Sequence, residues 1–245
     1  MPPTGAILTY HSIDRSGSVL SITPELFAHQ MAFLAKAGIP VVPLKNVREH
    51  AGAVALTFDD AYHNVYREAL PVLARYNYPA TVFAISGQGP AQLGPGSSLP
   101  RMSWDELREA SRCQVEIGAH TVTHPSLPSL PFHQACGEIT GSRDEIEQQL
   151  GLPVRSFAYP YGDSSPPLRD FVRRQFDSAA GVRLDYLAPA DDPADLPRLD
   201  VYYLRRPALF QALLTSPVRR YIGVRRALRQ WRAHANLLQR SAPLR

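Results

Sequence analysis

The chain reads as an α/β protein folded into one barrel, and three observations carry that reading. Apolar or alternating runs at residues 6–10, 53–58, 80–85, 115–119, 154–159, 178–182 and 200–204 have strand character, and most precede a helix signal. The residues able to do chemistry fall at the C-terminal ends of these runs, where barrel enzymes carry their sites. At 245 residues and 44% hydrophobic content, the chain can bury one barrel-sized core.

Taken in order, each element has a local cause. Ile7-Leu8-Thr9-Tyr10 is a short strand that ends in His11. Thr23 before Pro24 is an N-cap with Pro at the first helical position; Leu26, Phe27, Met31 and Leu34 form one helical face, and Gly38 closes the helix. Residues 53–58 are a buried-strand run, followed by Asp59-Asp60 and a helix-like pattern from Ala61. The Gly/Pro-rich stretch 87–98 holds no Lys, which excludes a phosphate-cradling loop and leaves a border to a substrate entrance or a plain connection. Ser103 with Glu106 makes a capping box. A charged helix from Glu138 to Leu150 stops at Gly151, before the strand that ends in Tyr159-Pro160-Tyr161-Gly162.

The chemistry centres on Gly118-Ala119-His120-Thr121-Val122-Thr123-His124-Pro125, read with Thr57-Phe58-Asp59-Asp60. Two imidazoles and a carboxylate are the ligands that hold zinc or another divalent metal with a position left open. A second carboxylate beside a metal ligand then has the place of a base, taking a proton from water acidified by the metal. Neighbouring strand residues point to opposite faces, so Asp59 and Asp60 share a site only where the backbone turns. Helix capping is the competing use of either Asp.

These runs, with Phe157-Ala158-Tyr159-Pro160-Tyr161-Gly162 as a third in the same order, resemble the polysaccharide deacetylases of carbohydrate esterase family 4, the NodB-like group. The resemblance spans residues 6–204. It implies a distorted (β/α) barrel that removes N-acetyl or O-acetyl groups from sugars with a metal-bound water. Asp60, His120 and His124 would be the ligands of one divalent ion, most simply zinc, and Asp59 the base. Tyr161 would offer its backbone N–H to the oxyanion and its ring as a sugar wall, with Pro160 fixing the turn and bordering the substrate.

Two departures from the family pattern need replacements. Many members carry an Arg two residues before the Pro of the third motif, where it braces the catalytic carboxylate; Ala158 stands here. Arg198 is the candidate brace, and a surface arginine is the competing reading. The late Leu-x-His segment that supplies the general acid in most members is also missing: after residue 133 the only His is His234. His11 is similar in place to the acid of a permuted, exopolysaccharide-modifying subgroup whose acid-bearing strand opens the chain. In a closed barrel the first and last strands are neighbours, so such a permutation preserves the site. A core His at a strand end is the alternative. Beyond N-deacetylation, a non-catalytic glycan-binding scaffold and a two-His-one-carboxylate Fe(II) oxygenase stay open.

Charge divides the chain into an expected barrel domain, 1–206, and a basic helical tail, 207–245. Residues 205–245 hold ten Arg, no Lys and no acid, leaving 16 basic against 22 acidic residues before them. Tyr221, Val224, Leu228, Trp231, Ala235 and Leu238 fall along one face, with Arg225, Arg226, Arg229 and Arg232 mainly on the other. That pattern favours an anionic membrane surface over nucleic acid; a barrel-covering helix is the rival reading. No signal sequence or 18-residue apolar run is visible, so a cytoplasmic enzyme acting at the inner face of the membrane on a glycan or lipid-linked sugar is expected. In that compartment Cys113 and Cys136 are expected as a reduced, buried pair.

Overall fold

The computed structural model describes residues 5–87, 91–94 and 97–240, with side chains for 5–87 and 99–231. Seven parallel strands, β1 (Gly5–Tyr10), β2 (Ala53–Phe58), β3 (Ala80–Ala84), β4 (Val115–Ala119), β5 (Ser156–Ala158), β6 (Ser178–Leu184) and β7 (Leu196–Asp200), close into a barrel in chain order, with β7 paired to β1. Around them lie α1 (Pro24–Lys36), α2 (Leu70–Tyr76), α3 (Trp104–Ser111), α4 (Phe132–Leu150), α5 (Pro166–Arg173), α6 (Pro207–Gln211) and α7 (Ser216–Arg240). This is the (β/α) barrel that the resemblance implies.

Alternation along the strands makes two apolar layers. One set, including Leu8, Leu56, Val82 and Ile117, packs outward against the helices. The other, including Ile7, Ala55, Phe83, Ala158 and Ala180, forms a second cluster inside the ring. The pairing Ile7↔Ala55 and Thr9↔Thr57, extended by one more alternation, sets His11 opposite Asp59 at the C-terminal end.

Several local expectations match the structure in detail. Thr23 accepts from the Leu26 N–H with Pro24 in the first turn. Ser103 and Glu106 form a reciprocal capping box. Gly151 ends α4 in a left-handed conformation with φ 67°. The helix-like pattern after Asp60 begins as a π-helical turn, Val65–Ala69, that runs into α2.

Two expectations are corrected. The last strand is Leu196–Asp200, not 200–204; Val201–Leu204 is a 3-10 turn in which Asp200 accepts from the Tyr202 N–H. The β-branched and aromatic residues there imitated a strand, whereas burial falls on Leu196, Pro197, Arg198 and Leu199. Cys113 is exposed and Cys136 half-buried, both unbonded, so they are not a buried pair. In the Gly/Pro-rich stretch, Ala91–Gly94 and Ser97–Leu99 pair antiparallel; the rest of that loop, 88–90 and 95–96, lies outside the described residues, as do the side chains of Arg232, Ala235 and Leu238.

Within the basic segment, Phe210, Leu213, Val218 and Ile222 are all buried and belong to the outer core. The first turns of α7 therefore cover the barrel. Farther along, Val224, Leu228 and Trp231 are exposed. No helix among the described residues is long and apolar enough to cross a membrane.

Candidate active site

At the C-terminal mouth of the barrel, His11, Asp59, Asp60, His120, His124, Tyr161 and Arg198 line one cleft of about 340 Å³. Pro160 is buried under its turn and is not part of the lining.

The two aspartates reach one site through backbone geometry. The Asp59 N–H donates to Tyr10 O at 2.9 Å, continuing the strand. Asp60 and Ala61 then adopt φ of 69° and 50°, a left-handed turn that non-glycine residues occupy at a cost of about 1–3 kcal/mol each. Thr121, His124 and Tyr161 are left-handed as well, so most of the non-glycine strain among the described residues sits at this cleft. Around His124 it is held by α4: Glu138 accepts from the N–H groups of Val122 and Thr123 and from the Thr123 hydroxyl. Thr121 Oγ1 accepts from the His124 N–H at 3.0 Å.

Asp60, His120 and His124 point their donor atoms at a common centre. The edges are 3.2 Å between the two Nε2 atoms and 3.6 and 3.4 Å from Asp60 Oδ1 to His120 and His124. Ligands about 2.0–2.2 Å from a shared tetrahedral ion span edges of this size. His120 Nδ1 lies 2.7 Å from Ala158 O, so it donates there and leaves Nε2 as a lone pair. Burial pushes the His124 imidazole down to about 4, keeping it neutral. Two facing lone pairs and a carboxylate oxygen repel one another, and a cation removes that repulsion; the residues fit a divalent metal.

Asp59 stands beside this centre, held by a different partner. Arg198 NH1 and NH2 donate to its two oxygens at 2.6 and 2.7 Å, and Arg198 Nε donates to Gly181 O at 2.9 Å. Burial alone raises the Asp59 carboxyl, but the Arg198 guanidinium, with His120 and His11, holds it well below the usual carboxylate range. Arg198 is 3% exposed, far from a surface arginine. It reaches Asp59 because the β6–β7 register shifts between Ala180↔Leu196 and Leu184↔Arg198, and because small residues, Ala158 and Ala180, leave the inside of the ring open.

His11 Nε2 lies 3.8 Å from Asp59 Oδ2, one-fifth exposed to the cleft. The Tyr161 ring meets the His124 ring edge-on at 4.7 Å and is itself 61% exposed. Its turn depends on Gly162, at φ 68°, where a Cβ would come within 2.1 Å of Val182.

Sequence reasoning missed three supports. Tyr62 is buried, and its hydroxyl is pushed upward by burial, then by the charge of Asp60 and a hydrogen bond to it; it stays protonated and orients that carboxylate. Thr57 accepts from Arg198 at 3.4 Å while donating to Leu8 O. Glu138 fixes the His124 loop. Only the position of Tyr62, two residues past Asp60, was a signal available in the chain.

The sequence model of the polysaccharide deacetylases matches residues 46–175, more than half of the chain. The chain belongs to the polysaccharide deacetylase family. It is 26% identical to IcaB from Ammonifex degensii, with a TM-score of 0.74 over 88% of this chain and 97% of that one. The deacetylase PplD of Streptococcus pyogenes, solved with acetate, shares the fold at 23% identity and a TM-score of 0.72, covering 82% of this chain and 93% of its own. Among curated relatives, YxkH of Bacillus subtilis is 27% identical over 64% of this chain and 56% of its own length. The poly-beta-1,6-N-acetyl-D-glucosamine N-deacetylase of Escherichia coli K12 is 30% identical over 46% of this chain, but only 20% of its own. The chain thus spans about half or less of these curated relatives. Family membership sets the Fe(II) oxygenase alternative aside.

Proposed function

We propose that this chain hydrolyses an N-acetyl group from a sugar, with a divalent metal, most simply zinc, held by Asp60, His120 and His124. The observation that carries the reading is the Arg198–Asp59 pair set directly beside the converging Asp60, His120 and His124 donors. When bound, the ion supplies Lewis acidity toward the acyl oxygen and lowers the pKa of water.

The remaining work falls to the protein. Asp59, kept ionised and oriented by Arg198, accepts the proton of the attacking water. The Tyr161 backbone N–H, on the turn between Pro160 and Gly162, is assigned to the developing oxyanion, and the exposed ring forms a wall for the sugar. His11, across from Asp59, donates a proton to the departing nitrogen, which leaves poorly as an unprotonated amine.

A place of action at an anionic membrane surface is supported by α7. Its exposed Val224, Leu228 and Trp231 lie on a segment rich in arginine and free of acids, a combination that supports contact with anionic lipid. An N-acetylated sugar on a lipid carrier at the inner leaflet is the substrate that suits both features.

Release of acetate from N-acetylated oligosaccharides and lipid-linked sugars, with metal content measured on the same sample, tests the reading. Asp59→Asn should keep metal and lose roughly 10²- to 10⁴-fold in rate. A metal-loaded wild-type chain that releases no acetate would instead support the glycan-binding scaffold.

A further inference from the structure

We propose that Arg229 reads a negative charge on the substrate, a phosphate ester or a carboxylate, beside the sugar whose acyl group is removed; the inference rests on the deacetylase reading above. The argument begins with how α7 is docked. Val218 and Ile222 are buried against the barrel. On the same side, Arg219 lies over the Tyr186 ring and Arg225 over the Tyr203 ring, each at 5.0 Å, and Arg226 pairs with Asp185 just past β6. Positions 218, 222, 225, 226 and 229 follow one helical face, so the anchors that fix the helix also fix where its next residue goes. That residue, Arg229, lines the catalytic cleft.

The charges already in the cleft are committed. Arg198 is bidentate to Asp59, Asp60 converges with His120 and His124, and Asp200 caps the N–H of Tyr202. Arg229 is different. Its side chain makes one long hydrogen bond, NH1 to Val182 O at 3.4 Å, and forms no ion pair with a carboxylate among the described residues. A guanidinium delivered to a substrate cleft with most of its donors unspent is suited to a planar or tetrahedral anion, which it binds through paired N–H groups.

The test uses the full chain with its metal and ligand-observed NMR titration of three probes. These are N-acetylglucosamine 1-phosphate, the methyl glycoside of N-acetylglucosamine, and the methyl glycoside of its 6-carboxylate counterpart. An anionic probe should bind about 1.5- to 5-fold tighter than the neutral one, the range of an exposed charged pair. The preference should shrink with added salt, collapse in Arg229→Gln and persist in Arg229→Lys. Whichever anion gains more identifies phosphate or carboxylate as the natural group. Equal affinity for all three probes in the wild type overturns the proposal. So does a preference that survives in Arg229→Gln, which would seat the anion on the bound metal ion or elsewhere in the cleft. A preference lost in Arg229→Gln without acetate release from any probe supports the Arg229 subsite and sinks the deacetylase reading instead.

Discussion

Arg198 and Asp59 meet as a buried bidentate pair across the barrel mouth, with separations of 2.6 and 2.7 Å, although 139 residues divide them in the chain. The pair does two jobs at once. It neutralises a carboxylate that burial would otherwise protonate, and it leaves that carboxylate beside the Asp60, His120 and His124 cluster in a fixed orientation.

Replacing Arg198 by Met should therefore lower turnover more than substrate binding and destabilise the fold by about 3–5 kcal/mol, the usual result of stranding a buried charge. Because the Asp59 carboxyl is depressed in the folded state, its stabilising contribution is complete above about pH 4. It is lost progressively as pH falls from there and is gone once pH has passed through the lower folded value. Denaturation curves at neutral pH and near pH 3 should show the variant's deficit narrowing in acid; a variant with wild-type turnover would remove Arg198 from the mechanism.

Metal content separates ligands from their supports. His120→Ala and His124→Ala should each lose the ion, read by elemental analysis. Tyr62→Phe should keep the fold yet weaken metal affinity by roughly 10- to 100-fold, as loss of a partner that orients a ligand does. Unchanged metal in both His variants would dismantle the proposed centre.

For His11, the contrast lies between substrates. His11→Ala should retain fold and metal but cut amide hydrolysis severely, whereas an activated acetate ester, whose leaving oxygen needs no proton, should suffer much less. Equal losses on the two substrates would contradict the acid role.

The exposed face of α7 predicts lipid contact. Val224, Leu228 and Trp231 are 59%, 43% and 69% exposed, so changing all three to Ser should leave thermal stability within a few tenths of a kcal/mol. The same change should reduce sedimentation with anionic liposomes at low salt. Truncation after Arg206 is a poor substitute, because it also removes buried Phe210, Leu213 and Ile222. A wild-type chain that ignores anionic vesicles at low salt would end the membrane reading.

The sequence by itself determined what is local and what is compositional. Strand alternation, the caps at Thr23 and Ser103, the turn after Phe58 and the three ordered motifs specified a barrel and put Asp59, Asp60, His120 and His124 at strand ends. These signals survive in one dimension because periodicity and capping act over a few residues. Tertiary structure alone decided which distant groups meet. Arg198 had no local mark of burial, since its strand was hidden by Pro197 and imitated by Val201-Tyr202-Tyr203; only ring closure and the β6–β7 register shift bring it to Asp59. Tyr62 and Glu138 looked like ordinary helix-flanking residues until the fold set them against Asp60 and the His124 loop. The arginines of α7 read as one charged face; packing made Arg219, Arg225 and Arg226 anchors on Tyr186, Tyr203 and Asp185 and set Arg229 in the cleft lining. Contacts across such separations depend on chain closure and packing, which no local spacing encodes.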